Sequence, residues 1–249
     1  MIQVDHISKT FDDGSAALSD VSASFRDGIV NLIIGRSGAG KTVLLKCLVG
    51  LLKPDEGRVL YDGRDFFALQ RKELSQLRRE IGMLFQGSAL FDSMNVLDNV
   101  MFPLVMFSEG SRKEHKARAE ECLERVGMQE ALAKMPSELS GGMQKRAAIA
   151  RAIVLNPRYL FCDEPNSGLD PVSSLIIDEL ISSITHELGM TTIVNTHDMN
   201  SVFGIGENIL FIHEGRASWS GTKEELRHSG NAQLEEFIMP AFRLAEMGR

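Results

Sequence analysis

The feature that most constrains this chain is a glycine-rich loop between an apolar run and a helix-forming segment. Residues 35–42 follow the pattern G-x-x-x-x-G-K-T; the apolar run Ile29–Ile34 precedes them, and the predicted helix Lys41–Leu51 continues from them. Glycines lack a Cβ, so backbone amides can approach an anion closely, and the helix N-terminus adds a favourable dipole. A strand, a loop and a helix in this order predict a binding site for nucleotide phosphates.

Composition limits the range of partners and compartments. The 249 residues carry a net charge of -7, so we expect no nucleic-acid partner. No apolar run reaches the length of a membrane span. Cys47, Cys122 and Cys162 are too far apart in sequence to suggest a zinc site, and we expect them to be reduced core residues of a cytosolic protein.

A second apolar run ends in two carboxylates. We predict a strand over Tyr159–Cys162, followed by Asp163 and Glu164 at its end. Successive side chains of a strand point to opposite faces, so these neighbours are expected to do different work. Asp163 is predicted to hold Mg²⁺ through water, and Glu164 to orient and deprotonate the water that attacks the γ-phosphate of ATP.

A third segment offers another anion site. Ser140, Gly141 and Gly142 open a helix that we predict over Gln144–Leu155. Small residues and free amides at a helix start suit an anion. A single nucleotide does not need two such sites on one chain.

Together these three segments resemble the ATP-binding cassette (ABC) family over roughly residues 2–226. The resemblance implies an α/β P-loop NTPase fold: a mainly parallel sheet, an N-terminal antiparallel β subdomain and an inserted α-helical subdomain at about 94–155. The alternation of predicted strands and helices after residue 159 is typical of such a sheet. We expect one ABC ATPase domain over 1–230 and a separate tail over 231–249.

The resemblance also implies roles for individual residues. Gln86 would reach the metal and the water, and His197 would contact the γ-phosphate, although either could be an ordinary polar residue. Phe11 would stack on adenine, or it is a core phenylalanine. The expected nucleotide-binding residues are Phe11, Gly35, Arg36, Ser37, Gly38, Ala39, Gly40, Lys41, Thr42 and Val43, and the expected metal residues are Thr42, Gln86 and Asp163.

The family resemblance implies a head-to-tail homodimer. In such a dimer, Ser140, Gly141, Gly142 and Asp170 would act on the nucleotide held by the partner protomer. The chain has one compact cassette, with no coiled-coil insertion or zinc module. It therefore resembles the separate ATPase subunit of a bacterial-type transporter. This implies a peripheral position at the cytoplasmic face of the inner membrane and permease subunits on other chains.

The stretch around Gln86 narrows the comparison. Gly82–Val96, Asn99 and Phe102–Leu104 resemble ATPases of MCE-linked (Mla-type) phospholipid transporters. That likeness implies phospholipid cargo, with accessory cytosolic and MCE-domain subunits as further partners. The stretch Gln86–Pro103 would meet the permease, or its apolar side chains merely pack the helical subdomain. An importer of a polar solute and a non-transport ABC ATPase remain the alternatives.

The tail beyond the family core is rich in apolar residues. We expect this set to dock on the partner protomer or on an accessory subunit, because it would otherwise form an exposed apolar patch. The alternative is that it folds back onto its own cassette. The set comprises Leu234, Phe237, Ile238, Met239, Phe242 and Leu244.

Overall fold

A computed structural model of the chain describes residues 1–247, with the side chains of all of these except Arg227 and residues 240–247. The strands are β1 Ile2–Thr10, β2 Ala16–Phe25, β3 Val30–Ile34, β4 Glu56–Tyr61, β5 Arg64–Asp65, β6 Ile81–Leu84, β7 Tyr159–Asp163, β8 Thr191–Thr196, β9 Asn208–His213 and β10 Arg216–Gly221. The α-helices are α1 Lys41–Leu48, α2 Arg71–Arg79, α3 Val96–Phe107, α4 Arg112–Arg125, α5 Gly141–Ile153, α6 Pro171–Leu188, α7 Met199–Ile205 and α8 Ala232–Met247. Among the described residues, none of these helices is both long and apolar enough to cross a membrane.

The strands form two sheets. The N-terminal sheet is antiparallel, in the order β2-β1-β4-β5. The larger sheet has the order β10-β9-β3-β8-β7-β6, and its strands run parallel except for the antiparallel edge strand β10. This arrangement confirms the predicted fold class, an α/β cassette with an antiparallel β subdomain.

The order of the central strands brings three sequence motifs together. Strands β3, β8 and β7 are neighbours, and all three run in the same direction. Their carboxyl ends carry Gly35, His197 and Asp163, respectively. Ligands of open α/β sheets bind at such an edge, so the topology places the candidate site there.

Alternate residues of the parallel sheet join two different cores. Leu160 and Cys162 pack with the helical side, which includes Leu123 of α4 and Ile149 of α5. Phe161 and its neighbours on the same face pack with the antiparallel sheet and α1. Since Asp163 follows Phe161 by two residues, its side chain lies on the face that carries α1.

Several boundaries differ from those predicted. Helix α5 begins at Gly141 instead of Gln144, because Ser140 is its N-cap and accepts a hydrogen bond from the Met143 amide at 3.3 Å. Helix α3 was not predicted, since Pro103 lies inside it. Strand β7 ends at Asp163, and Glu164 follows it with a φ of 48°, so the left-handed backbone at Glu164 separates the two carboxylates.

The start of the tail folds onto its own cassette. Leu234 is 0% exposed and Ile238 is 2% exposed in the helical-side core. The Phe237 ring lies 5.5 Å from that of Phe211 in β9. Leu234 and Ile238 are thus already covered, as in the alternative that the sequence left open. Met239 is 45% exposed, and the side chains of Phe242 and Leu244 lie outside the described residues.

Candidate nucleotide-hydrolysis site

The glycine loop connects β3 to α1 and depends on backbone that only glycine adopts easily. Gly40 is the N-cap of α1, with a φ of 105°. A Cβ there would lie 2.5 Å from the Ala17 carbonyl oxygen, and one at Gly35 would lie 2.3 Å from that of Ile212. Both positions therefore exclude any side chain, and the close approach keeps the loop amides at the start of α1.

A cavity of about 550 Å³ lies beside this loop. Its wall brings together residues from the loop, from the antiparallel sheet and from the ends of the parallel strands. They are Phe11, Ser15, Ala16, Ala17, Ser37, Gly38, Gly40, Lys41, Thr42, Val43, Gln86, Glu164 and His197. Phe11 is 40% exposed on this wall, so it is not the core phenylalanine that the sequence allowed as an alternative.

Lys41 has its ammonium group folded into the loop. It is 5% exposed and donates hydrogen bonds to the carbonyls of Gly35, at 3.0 Å, and Arg36, at 3.1 Å. Burial lowers the pKa of Lys41, while the carboxylates of Glu164 and Asp163 act in the opposite direction. A buried cation with two carbonyl partners is well placed to attract a phosphate group.

Asp163 and Thr42 place side-chain oxygens together that could act as metal ligands. The Thr42 hydroxyl donates to Asp163 Oδ1 at 3.1 Å. Asn195 lies beside them, and its Nδ2 is 2.6 Å from Asp163 Oδ1 and 3.0 Å from Thr42 Oγ1. Hydroxyl and carboxylate oxygens are the protein ligands that Mg²⁺ prefers. The buried Asn195 Oδ1 has no hydrogen-bond partner within the described part of the chain. The described residues therefore leave one polar atom at this site unsatisfied. The donor set fits a hydrated Mg²⁺ ion.

Glu164 is held between two cationic or polar side chains. Its Oε2 lies 2.8 Å from His197 Nδ1, and its Oε1 lies 3.9 Å from Lys41 Nζ. The Glu164 side chain is 14% exposed, whereas that of His197 is 64% exposed. The carboxylate is therefore oriented by its neighbours at the cavity wall, where it can accept a proton from a bound water.

Gln86 follows β6 and is exposed at the cavity. Its Nε2 donates to Ser167 Oγ at 3.2 Å, which joins two loops at the site. The buried Lys145 of α5 donates to the Gln86 carbonyl. Arg151, further along α5, donates to the carbonyls of Ser88, at 2.8 Å, and Ala89, at 2.6 Å. Helix α5 thus holds the backbone of the segment that carries Gln86.

Arg36 and Ala39 contribute backbone to the loop. The Arg36 guanidinium pairs with Glu236 of α8 at 2.7 Å and is exposed, so it does not line the cavity. Ala39 donates its amide to the Arg36 carbonyl at 3.1 Å and is almost buried. Their backbone shapes the loop, and their contact with nucleotide stays a prediction.

The four residues expected to act in trans lie apart from the cavity wall. Ser140 caps α5, and Asp170 caps α6 through the amides of Val172 and Ser173, both at 3.0 Å. Gly141 and Gly142 form the first turn of α5, and a Cβ at Gly142 would be 3.7 Å from Ser173. The two helix starts adjoin each other, and none of the four residues lines the cavity of its own chain.

Sequence reasoning missed Asn195, Lys145 and Arg151. Asn195 had a detectable signal, because it interrupts the β-branched and apolar run of β8 with an amide. Lys145 and Arg151 look like ordinary cations of an amphipathic helix, and only the packing of α5 against the segment after β6 distinguishes them.

Comparison with known families agrees with this geometry. The pattern of the family described as ABC transporter matches residues 18–167. The chain belongs to this family. The match spans the glycine loop, Gln86, Ser140–Gly142, and the carboxylates of Asp163 and Glu164. The cassette therefore binds ATP and is the ATPase of a transporter.

Three curated relatives are between 38% and 41% identical to this chain over their aligned residues. The methionine import ATP-binding protein MetN 3 of Pseudomonas fluorescens is 41% identical over 98% of this chain and 75% of its own length. The intermembrane phospholipid transport system ATP-binding protein MlaF of Haemophilus influenzae is 39% identical over 92% and 87%, respectively. The probable ribonucleotide transport ATP-binding protein mkl of Mycobacterium leprae is 38% identical over 95% and 68%.

Solved structures show the same fold. A dimeric, post-hydrolysis ATP-binding cassette bound to ADP and phosphate is 34% identical to this chain, with a TM-score of 0.81. The alignment covers 90% of this chain and 99% of the solved cassette. The similarity therefore extends over nearly the whole cassette.

Proposed function

We propose that this protein is the ATP-hydrolysing motor of a membrane transporter that moves phospholipids with an MCE-type system. The observation that carries the hydrolytic part is the cavity, where Lys41, Glu164 and His197 meet beside Thr42 and Asp163. Phosphate binding, metal binding and water activation each have a suitable group there.

The residues divide the reaction between them. Loop amides and Lys41 bind the phosphates and offset their charge. Thr42 and Asp163, with Gln86, would hold Mg²⁺, which when bound supplies charge stabilisation at the phosphates. Glu164 accepts a proton from the attacking water, and His197 keeps its carboxylate in place at 2.8 Å. His197 is also exposed enough to contact the γ-phosphate.

We propose that the site is completed by a second copy of the chain. Ser140, Gly141, Gly142 and Asp170 are located at two adjoining helix starts away from their own cavity. A head-to-tail homodimer would place them over the partner's nucleotide. The dimeric state of the similar cassette bound to ADP and phosphate supports this arrangement.

The proposed permease seat is an apolar groove of about 600 Å³ beside the helical subdomain. Phe85, Phe91, Phe102, Pro103 and Phe107 line it, with Arg71, Arg78, Arg79 and Arg151 among its polar residues. Phe85, Phe91 and Phe107 are between 38% and 49% exposed. Aromatic side chains exposed in a groove suit a helix with an apolar face. A permease helix seated here would keep the protein peripheral, at the cytoplasmic face of the inner membrane.

The side chain of Arg151 connects the groove to the segment that carries Gln86. Arg151 lines the groove and stacks at 6.0 Å on the Phe91 ring. The same side chain donates to the carbonyls of Ser88 and Ala89, close to Gln86. Movement of a helix in the groove can therefore displace the segment that carries Gln86 at the cavity, and ATP-driven movement can pass in the other direction.

The phospholipid assignment rests on similarity in two places. The segment Gly82–Leu104 that lines the groove resembles Mla-type ATPases, and MlaF matches the chain over most of both lengths. MCE-domain and accessory cytosolic subunits would then be further partners. The comparable identity to the methionine import protein MetN 3 keeps a polar-solute importer as the second candidate.

The deciding experiment is reconstitution of the ATPase with its membrane subunits in vesicles that contain both labelled phospholipid and an entrapped polar solute. We expect ATP to move phospholipid and leave the solute in place. Movement of a polar solute without lipid would replace the proposal by its second candidate.

A charge in the groove should uncouple the motor. Phe91→Glu is expected to abolish permease binding and lipid movement together, while ATP binding survives, because Phe91 lines the groove and not the nucleotide cavity. Leu51→Glu is the matched control, since Leu51 is 56% exposed but lies outside the groove. Lipid movement by a variant that no longer binds the permease would refute the coupling assignment.

A further inference from the structure

Asn195 lies at the centre of the candidate metal site without any assigned role. Strands β7 and β8 are in parallel register, and Asp163 is paired directly with Asn195. Ile193, two residues earlier in β8, packs on the face that carries α1. The side chain of Asn195 is therefore directed to the same face as Asp163 and Thr42.

Among the residues that the structure describes, the side-chain hydrogen bonds of Asn195 go to metal residues alone. Its Nδ2 donates to Asp163 Oδ1 at 2.6 Å and to Thr42 Oγ1 at 3.0 Å. The residue is 0% exposed, and its Oδ1 has no partner among the same residues. One amide group thus bridges the two side chains that would bind Mg²⁺.

Two other buried asparagines of this chain, Asn31 and Asn99, behave differently. Asn31 uses both ends of its amide: Oδ1 accepts from the Arg26 amide and Nδ2 donates to three carbonyls. Asn99 also accepts through Oδ1 and donates through Nδ2 to three carbonyls. These residues tie backbone segments together. The bonds of the Asn195 amide end instead on the side chains of Thr42 and Asp163.

A structural role for Asn195 has little support from its strand. Its neighbours in β8 are threonine, isoleucine and valine, which suit a buried strand better than an amide does. A buried amide with one unsatisfied end is unfavourable for folding. The residue is therefore better explained by the site than by the sheet.

We propose that Asn195 is a positioning residue for magnesium. Its amide fixes the Asp163 carboxylate against the Thr42 hydroxyl, so that the lone pairs directed at the metal are set before Mg²⁺ arrives. Groups that orient metal ligands typically change metal affinity by roughly 10- to 100-fold when removed. The inference rests on the ATP site of the proposed function and not on the cargo, so a failure of lipid transport would leave it intact.

The test compares nucleotide binding by Asn195→Val with and without magnesium. The probe is a fluorescent ATP analogue, titrated in excess Mg²⁺ and again in EDTA. We expect affinity in Mg²⁺ to fall roughly 10-fold or more, and affinity in EDTA to stay unchanged. Free Mn²⁺, followed by electron paramagnetic resonance with the nucleotide present, should show the same weakening of metal binding.

Thr192→Val is the matched control. Thr192 is in the same strand and equally buried, but its hydroxyl pairs with Thr185 at 2.6 Å, away from the metal residues. It should bind nucleotide normally under both conditions. Asn195→Ala serves as a second variant in case valine is not accommodated.

Three outcomes would overturn the proposal. The first is an equal loss of affinity in Mg²⁺ and EDTA, which would indicate general loosening of the site. The second is unchanged affinity in both. The third is failure of both Asn195 variants to fold while Thr192→Val folds, which would assign Asn195 a structural role.

Discussion

The two halves of the proposed nucleotide site differ in how far one chain has already assembled them. The half around the glycine loop is buried and interconnected: Lys41 is 5% exposed, Asp163 is 7% exposed, and hydrogen bonds join Thr42 to Asp163 and Asn195. The half at the start of α5 is exposed at Ser140 and Gly141 and adjoins the start of α6 instead of the cavity.

This difference indicates that one half binds the nucleotide, whereas the other half completes the hydrolytic site of another chain. A preassembled half can hold the nucleotide with little reorganisation, because its dipoles and charges are already fixed. The exposed half presents helix-start amides that can face an anion brought by another chain. Hydrolysis would then depend on that second chain, which lets assembly control turnover. Variants in either half test this division.

The largest effect is expected within the buried half. Glu164→Gln should lower ATP turnover by roughly 10²- to 10⁴-fold, because the amide cannot accept the proton of the attacking water. ATP affinity should be nearly unchanged, since the loop and Lys41 are intact. Phosphate release and equilibrium binding measure the two quantities separately.

Glu179→Gln is the control for that prediction, because Glu179 is exposed on α6, outside the cavity wall. Near-normal hydrolysis by Glu164→Gln would show that another group is the base.

Part of the site could be predicted from sequence because its motifs are short and continuous. The glycine loop, the carboxylate pair and the helix Pro171–Leu188, with its Asp170 cap and following proline, are each defined by a few adjacent residues. The family resemblance then supplied the two-sheet architecture, which the strand pairings confirm.

The remaining features depend on contacts between distant segments. Asn195 bridges the side chains of Asp163 and Thr42 only because β8 pairs in one register with β7. A slip of one residue would turn the amide to the other face. The sequence allowed Leu234 to dock on a partner, but it packs in the core of its own chain. The alternating-face argument for Asp163 and Glu164 was wrong, since the chain leaves the strand between them.

A smaller effect is expected from the exposed half, on assembly. In a Glu164→Gln background, saturating ATP and magnesium should drive two-fold symmetric dimer formation. The further change Gly142→Asp should raise the dimer dissociation constant at least about tenfold, equivalent to 1.4 kcal/mol, because a carboxylate would face the partner's phosphates. Sedimentation measures the dimer, and nucleotide affinity per protomer should be unchanged.

Complementation sharpens this result. Lys41→Ala and Gly142→Asp, each otherwise native, should both be inactive, yet their mixture should regain hydrolysis, since a mixed dimer holds one intact composite site. Gly204→Asp is the control, as a Cβ there meets nothing within 4 Å among the described residues. A Glu164→Gln protein that stays monomeric with ATP, alone and with its permease, or a mixture without activity, would contradict the trans arrangement.

The smallest effect concerns the stability of the exposed half itself. Ser140 Oγ accepts from the Met143 amide at 3.3 Å, a long bond for an N-cap. Ser140→Ala should lower the free energy of unfolding by about 0.5–2 kcal/mol, toward the lower end of that range. Urea denaturation measures it, with Ser183→Ala as the control, because Ser183 is exposed within α6.

The same variant separates the two roles of Ser140. In the Glu164→Gln background, Ser140→Ala should weaken the ATP-bound dimer by more than the lost cap explains, since the hydroxyl that caps α5 weakly remains free to donate to a partner's phosphate. An unfolding free energy reduced by well over 2 kcal/mol, with an unchanged dimer, would make Ser140 a structural cap alone. The start of α5 would then stabilise its own chain without contributing to the partner's site, and the division between binding and completion would fail at this residue.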